Sequence, residues 1–364
     1  MKTLLLILLL LPLFFCSAHA EQLQDQASEV MGSRSLEEGL TPEEKAVSGP
    51  FRAGDYDAAA ALRRLWESFL QSLRHEIESA LRFALRLLAL VFLCGLSDAF
   101  CPQDKLRQIV EICGACAAAA LLIGGVDSLA SQTTEAIYRM SDYSKAALPV
   151  VFTAAAAGGA VSSAGLRYAA VSFALDVMMS LTQRAVIPLI YAYLSLSLTH
   201  MIFPHALLGA VCRFAKWMAT TVMTGATLAF TVYLSTTGAI TGAVDAAAIK
   251  TTRSVISGAL PVVGGMVSDA SAAVLAAANL IRSCAGVFGL VAVCAICVGP
   301  FALLSVRTLL FKAVAALSDS VENTRLSTLF SGVGSAVAML MGLLGSSAIM
   351  LFLSFTAAMK VVTV

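Results

Sequence analysis

The sequence predicts an all-α fold, a polytopic transmembrane helical bundle. Three observations lead there. Of its 364 residues, 59% are hydrophobic and 13% charged, about half the charge of an average soluble domain. Mean hydropathy is +0.85. Apolar runs recur from about residue 83 onward, most of them long enough to cross a hydrocarbon core of about 30 Å as helices. The runs are continuous and rich in Ala, Leu and Gly rather than alternating. That pattern argues against a β-barrel and leaves helices to satisfy the backbone where lipid offers no partner.

Residues 1–20 read as a cleavable signal peptide. Lys2 is the basic start, 4–15 the apolar stretch and Ala18-His19-Ala20 the cleavage site. A lipoprotein signal using Cys16 is disfavoured, because Phe14 and Phe15 stand where small residues are needed. The signal places the mature N-terminus outside the cytoplasm. Residues 21–56 form a polar extracytoplasmic leader expected to be weakly ordered. Within it Thr41-x-x-Glu44 has the form of a capping box, and Ser48-Gly49-Pro50 stops any long helix. Residues 57–82 read as an amphipathic helix with Leu62, Trp66, Phe69, Leu70 and Leu73 on one face. Trp66 suits a membrane interface, and the helix is expected to lie on the outer leaflet or on the protein.

Residues 83–364 form the transmembrane domain. Apolar runs lie near 84–96, 109–129, 147–165, 168–203, 215–243, 259–280, 283–306 and 331–357, with a polar amphipathic stretch from Ser131 to Lys145. Seven to nine membrane-embedded segments are expected. The 168–203 run holds Asp176, Gln183, Arg184 and Pro188 and reads as one long kinked helix or two short ones. The Ser-, Ala- and Asp-tinged 259–280 run reads as a span or a re-entrant segment. With the N-terminus outside, Lys105, Arg107, Arg213, Lys216, Arg307, Lys312 and Arg325 fall inside, and Arg139, Lys145, Lys250 and Arg253 outside. The inward bias is small but of the expected sign.

An internal two-fold repeat, about 127–243 and 245–357, is suggested by Ala147-Leu148-Pro149-Val150-Val151 recurring as Ala259-Leu260-Pro261-Val262-Val263. At the same offset Pro188 meets Pro300 and Arg213 meets Arg325. Each half would hold a Leu-Pro-Val-Val turn and a proline-kinked span, so Pro149, Pro188, Pro261 and Pro300 are candidate helix breaks. Repeats with broken helices are a transporter device.

No enzyme motif emerges: no Gly-x-Ser-x-Gly, phosphate-binding loop or dinucleotide fingerprint is present. The pairs Cys113/Cys116 and Cys294/Cys297 lie in apolar runs without a flanking cation or His, which favours packing over metal or redox work. No catalytic, cofactor or metal residue is assigned. Net charge is +1, so no bulk attraction to nucleic acid exists. Ionisable residues at membrane depth are costly and point to function. Glu111, Asp127, Asp176, Arg184, Asp245, Lys250 and Asp269 are therefore candidates for a polar seam inside the bundle. Small-residue faces, Gly238-x-x-x-Gly242 and 331–335 among them, let helices approach closely and serve bundling within one chain or self-association equally.

The block running from Thr236-Thr237-Gly238 through Val244-Asp245, Lys250-Thr251, Ser257-Gly258-Ala259-Leu260-Pro261 and Ser268-Asp269-Ala270 to Gly286-Val287-Phe288-Gly289-Leu290 and Pro300 resembles the stage III sporulation protein AE family. Signal peptide, short outer segment and polytopic body agree with it. The resemblance implies a subunit of a secretion-like channel between mother cell and forespore, placed in the mother-cell membrane around the forespore and resembling an export apparatus or permease core. It implies as partners the other stage III sporulation operon proteins, including a secretion-type ATPase and ring-forming membrane proteins. It supplies no catalytic residues. The alternative reading from the residues is an autonomous secondary transporter with ion-coupled solute flux.

Overall fold

The computed structural model describes residues 36, 37, 39–51, 56–100, 104–157, 161–202, 206–259, 264–321 and 324–359. Side chains are described there except at 97–100, 104–108, 111, 161–163, 201, 202, 238–259 and 264–278. The signal peptide lies outside the described residues. The described chain is helical throughout, without a strand. The elements are α1 (Pro42–Ser48), α2 (Ala58–Phe100), α3 (Asp104–Ala157), α4 (Val161–Leu181), a π-helical turn (Thr182–Val186), α5 (Ile187–Ile202), α6 (Ala206–Ala259), α7 (Gly264–Ser320) and α8 (Thr324–Met359).

Six helical segments among the described residues are long and apolar enough to span a membrane: Ala58–Leu96, Ile112–Ala157, Ala164–His200, Ala206–Thr237, Asn279–Ser320 and Thr324–Met359. The eight apolar runs condense into six because helices continue through the polar stretches between them. Ser131–Lys145 is helical and joins two runs within α3. Its hydroxyls bond their own helix, Thr133 Oγ1 to the Leu129 carbonyl at 2.6 Å and Ser144 Oγ to that of Ser141 at 2.7 Å. The same face buries Ile137, Met140 and Tyr143. Likewise the 283–306 run and the described part of 259–280 share α7, so no separate re-entrant element forms from residue 264 onward. With 54, 54 and 57 residues, α3, α6 and α7 are each about 80 Å long, well beyond a bilayer core.

The prolines also behave differently from expectation. Pro149 and Pro300 sit inside α3 and α7 without ending them. One missing N–H is tolerable where neighbouring helices and local adjustments satisfy the groups it frees. The Leu-Pro-Val-Val motif is therefore no turn in its first copy, and Pro261 lies outside the described residues. Pro188 is the second residue of α5, directly after the π-helical turn, so the 168–203 run is one helical path with a local defect. The helix junctions recur at a longer spacing than the prolines: α6 opens at Ala206 and α8 at Thr324 (324 − 206 = 118). These two helices run parallel, with Lys216 Nζ 3.2 Å from Ser335 Oγ and Met223 beside Gly342.

The centre of the bundle is the antiparallel pair α7–α8. Their apolar windows are 67% and 61% buried, against 22% for α2 and α6. Glycines on one helix admit large side chains of the other: Gly286 faces Met359, Gly289 faces Phe355 and Gly334 faces Phe311. Around this pair α2 runs parallel to α7. Arg307 Nη2 donates to Ser79 Oγ at 3.1 Å, and the Phe83 and Phe311 rings meet edge-on at 6.2 Å. The core-facing residues of α2 include Ala61, Leu65, Ala80, Leu87, Val91 and Cys94, whereas Trp66 and Leu70 of the expected apolar face are exposed.

The leader is ordered in part, contrary to the weak order expected of it. Thr41 and Glu44 form the capping box, with Thr41 N–H donating to Glu44 Oε2 at 2.8 Å and Glu44 N–H to Thr41 Oγ1 at 3.4 Å. Gly49, at φ 75°, ends α1 and donates its N–H to the Lys45 carbonyl at 2.8 Å.

Gly289→Val is expected to lower stability by about 1–3 kcal/mol through overpacking, because a Cβ there collides with the Phe355 ring. Gly345→Ala has open space at its Cβ and is expected to be neutral or stabilising by up to about 1 kcal/mol. Thermal melts of the detergent-solubilised protein check both.

Candidate functional site

The described candidate seam residues, Asp127, Asp176 and Arg184, lie apart from one another. Asp127 and Tyr191 meet at the edge of a cleft of about 210 Å³ between α3 and α5, lined also by Ile123, Ile190 and Leu340. The Tyr191 hydroxyl donates to Asp127 Oδ1 at 3.5 Å. Asp176 pairs with Lys145 of α3 at 3.7 Å, both side chains more than half exposed, and such a pair contributes little stability. Arg184 is exposed in the π-helical turn. The side chains of Glu111, Asp245, Lys250 and Asp269 lie outside the described residues.

Instead, α3 brings together a polar strip. Ser128, Ser131, Gln132, Glu135, Asp142 and Lys145 recur three, four or seven positions apart, as one helix face requires, and all are exposed. The Gln132 amide donates to Ser128 Oγ at 3.1 Å. On the same face, four positions after Glu135 and three before Asp142, Arg139 pairs with Glu44 of α1. This latch holds the leader against the bundle together with Phe51 and Tyr56, whose rings pack edge-on to Phe288 of α7 at 5.3 and 5.4 Å. The Tyr56 hydroxyl donates to the Ser48 carbonyl at 2.8 Å. Burial raises its pKa above the usual phenol value, outweighing the opposing effect of Arg64.

The sequence reading missed two buried cations, Arg167 of α4 and Arg282 of α7, each 5% exposed. Their positive charges repel each other, and Arg282 Nε and Nη1 are buried with no hydrogen-bond partner. Both fell at junctions between apolar runs, where an arginine reads as a loop or interface residue. A usable signal was present: neither has an acidic residue within eight positions. Arg307 of α7 is half-buried and stacked on Phe83 with 5.3 Å to the ring centroid.

Metal-like clusters of three or more His, Cys, Asp or Glu side chains do not occur among the described residues. The described cysteines are free thiols, and Cys297 Sγ lies 3.0 Å from Met140 Sδ in the core. The model of the stage III sporulation protein AE family matches residues 47–361. The chain belongs to this family. It is thus a sporulation protein of a polytopic membrane family. The stage III sporulation protein AE of Bacillus subtilis (strain 168) is 24% identical over 225 residues, 61% of this chain. The match spans 56% of that relative's length. No solved structure matches. The family match begins within α1 and runs through all six candidate spans, so the latch region and the buried arginines fall within or beside it.

Two outcomes are expected. Arg282→Met is expected to leave the melting temperature unchanged or to raise stability by about 1–2 kcal/mol, because it removes unpaired buried donors. Docking of the leader is expected to weaken at high pH. The folded state favours the neutral Tyr56 phenol, so its contribution is complete below the unfolded value near 10 and is lost as pH climbs through the raised folded value. Limited proteolysis between residues 49 and 57 reads this, and Tyr56→Phe is expected to remove the Tyr56 component of the pH dependence.

Proposed function

We propose that this chain is a membrane-embedded subunit, export-apparatus or permease-like, of the secretion-like channel complex needed for endospore development. Family membership over residues 47–361 carries the reading. The bundle supports it: a tightly packed α7–α8 centre suits a scaffold, and the charged groups at its edges suit contact with water or other subunits. The proposed location is the mother-cell membrane around the forespore, with the leader on its extracytoplasmic side. The proposed partners are the other stage III sporulation operon proteins, among them a secretion-type ATPase and ring-forming membrane proteins. Deleting the gene in its native spore-former is expected to stop forespore development after engulfment, scored by microscopy and heat-resistant spore counts, with rescue by a supplied copy. Parental spore yield in the deletion strain would refute the proposal.

A further inference from the structure

Arg282 of α7 carries a cost that its surroundings in the fold do not offset. Its side chain is 5% exposed, and its Nε and Nη1 have no hydrogen-bond partner. A buried donor left unpaired keeps its full desolvation penalty, and a charged one keeps more. The charged group that acts on it is a second cation, Arg167 of α4, itself 5% exposed. Like charges repel, so the neighbour adds to the cost instead of relieving it. Buried charges persist where an opposite charge meets them. No acidic residue lies within eight positions of either arginine, so neither helix supplies that charge from its adjoining turns.

Arg167 directly precedes Tyr168, whose ring meets Phe152 of α3 at 5.7 Å. Arg282 lies about one helical turn before Gly286, which faces Met359 of α8. Ile281 and Ala285, on either side of it along α7, are buried. The two cations thus share an apolar setting among α3, α4, α7 and α8, where water screens little and an anion is held strongly. We propose that Arg282, with Arg167 beside it, forms an anion site that takes a phosphate group. A guanidinium fork pairs two N–H donors with two oxygens of a carboxylate or a phosphate. One such fork uses up a carboxylate, whereas a phosphate presents further oxygens to a second arginine. The group can come from inorganic phosphate or from the headgroup of an anionic lipid. Leu166 and Phe173 of α4, 65% and 68% exposed, give acyl chains an apolar surface on the helix that carries Arg167.

The test is a thermal melt of the full-length, detergent-solubilised protein at matched ionic strength. The additions are inorganic phosphate, dioctanoyl phosphatidylglycerol, acetate, and dioctanoylglycerol, which has the same chains and no phosphate. A phosphate compound that fits the site is expected to raise the melting temperature by about 2–4 °C at about ten times its Kd. A rise with inorganic phosphate supports the proposal with the free ion as ligand. A rise with phosphatidylglycerol alone supports it with the lipid headgroup as ligand. Arg282→Met is expected to abolish the rise, and Arg282→Gln guards against a fold defect peculiar to the first variant. Arg184→Met, which removes an exposed cation elsewhere, is expected to keep it. No rise with either phosphate compound would overturn the proposal. An equal rise with acetate or dioctanoylglycerol, or a rise that survives both Arg282 substitutions, would overturn it too. None of these failures touches the sporulation role, which the deletion strain tests separately.

Discussion

The seam between α7 and α8 is the constraint on which the other helices depend. Lipid tails are as apolar as leucine, so helices in a membrane gain little by hiding apolar surface from lipid. They associate through close packing and hydrogen bonds between helices. Gly286, Gly289 and Gly334 supply the close approach, with Met359, Phe355 and Phe311 filling the space. The remaining elements attach to side chains that this seam positions. Phe311 also receives Phe83 of α2, Phe355 receives Tyr143 of α3, and Phe288, beside Gly289, receives the leader rings. A shift of the seam would move all three neighbours at once.

Much of the architecture was legible in the sequence because its causes are local. Apolar length set the helices, the Thr41/Glu44 spacing set the capping box, and Gly49 set its end. What was not legible depends on tertiary contacts. The polar amphipathic stretch 131–145 joins two apolar runs into one helix, because Thr133 and Ser144 bond their own helix while Tyr143 is clasped by Phe355 and Gly39. The face that α2 buries, Ala61, Leu65, Ala80 and Leu87 among it, is not the one carrying Trp66 and Leu70, which are exposed. Arg167 and Arg282 escaped notice because their isolation from acids matters only once the fold buries them.

Asp176, a described member of the candidate seam, shows a similar dependence on tertiary contacts. Composition reveals which charges an apolar region contains but not the direction in which a helix turns them. Asp176 lies in an apolar helix, and by charge count alone it resembles an intramembrane functional group. Its helix turns it outward beside Phe173 and Val177, where Lys145 reaches it from α3. The charge thus belongs to the rim of the bundle rather than to its interior.

That direction bears on the choice between a channel subunit and an autonomous transporter. A transporter that alternates access needs its coupling charges at a midplane site between its own repeats. Here the described acidic candidates, Asp127 and Asp176, are exposed, whereas Arg167 and Arg282 are buried. A charged carboxylate or ammonium turned into hydrocarbon costs about 2.5–3.5 kcal/mol even on insertion scales. Glu135, Asp142 and Lys145 together would impose several times that if lipid faced the α3 strip. Surrounding α3 with water or other protein removes that cost without changing a side chain.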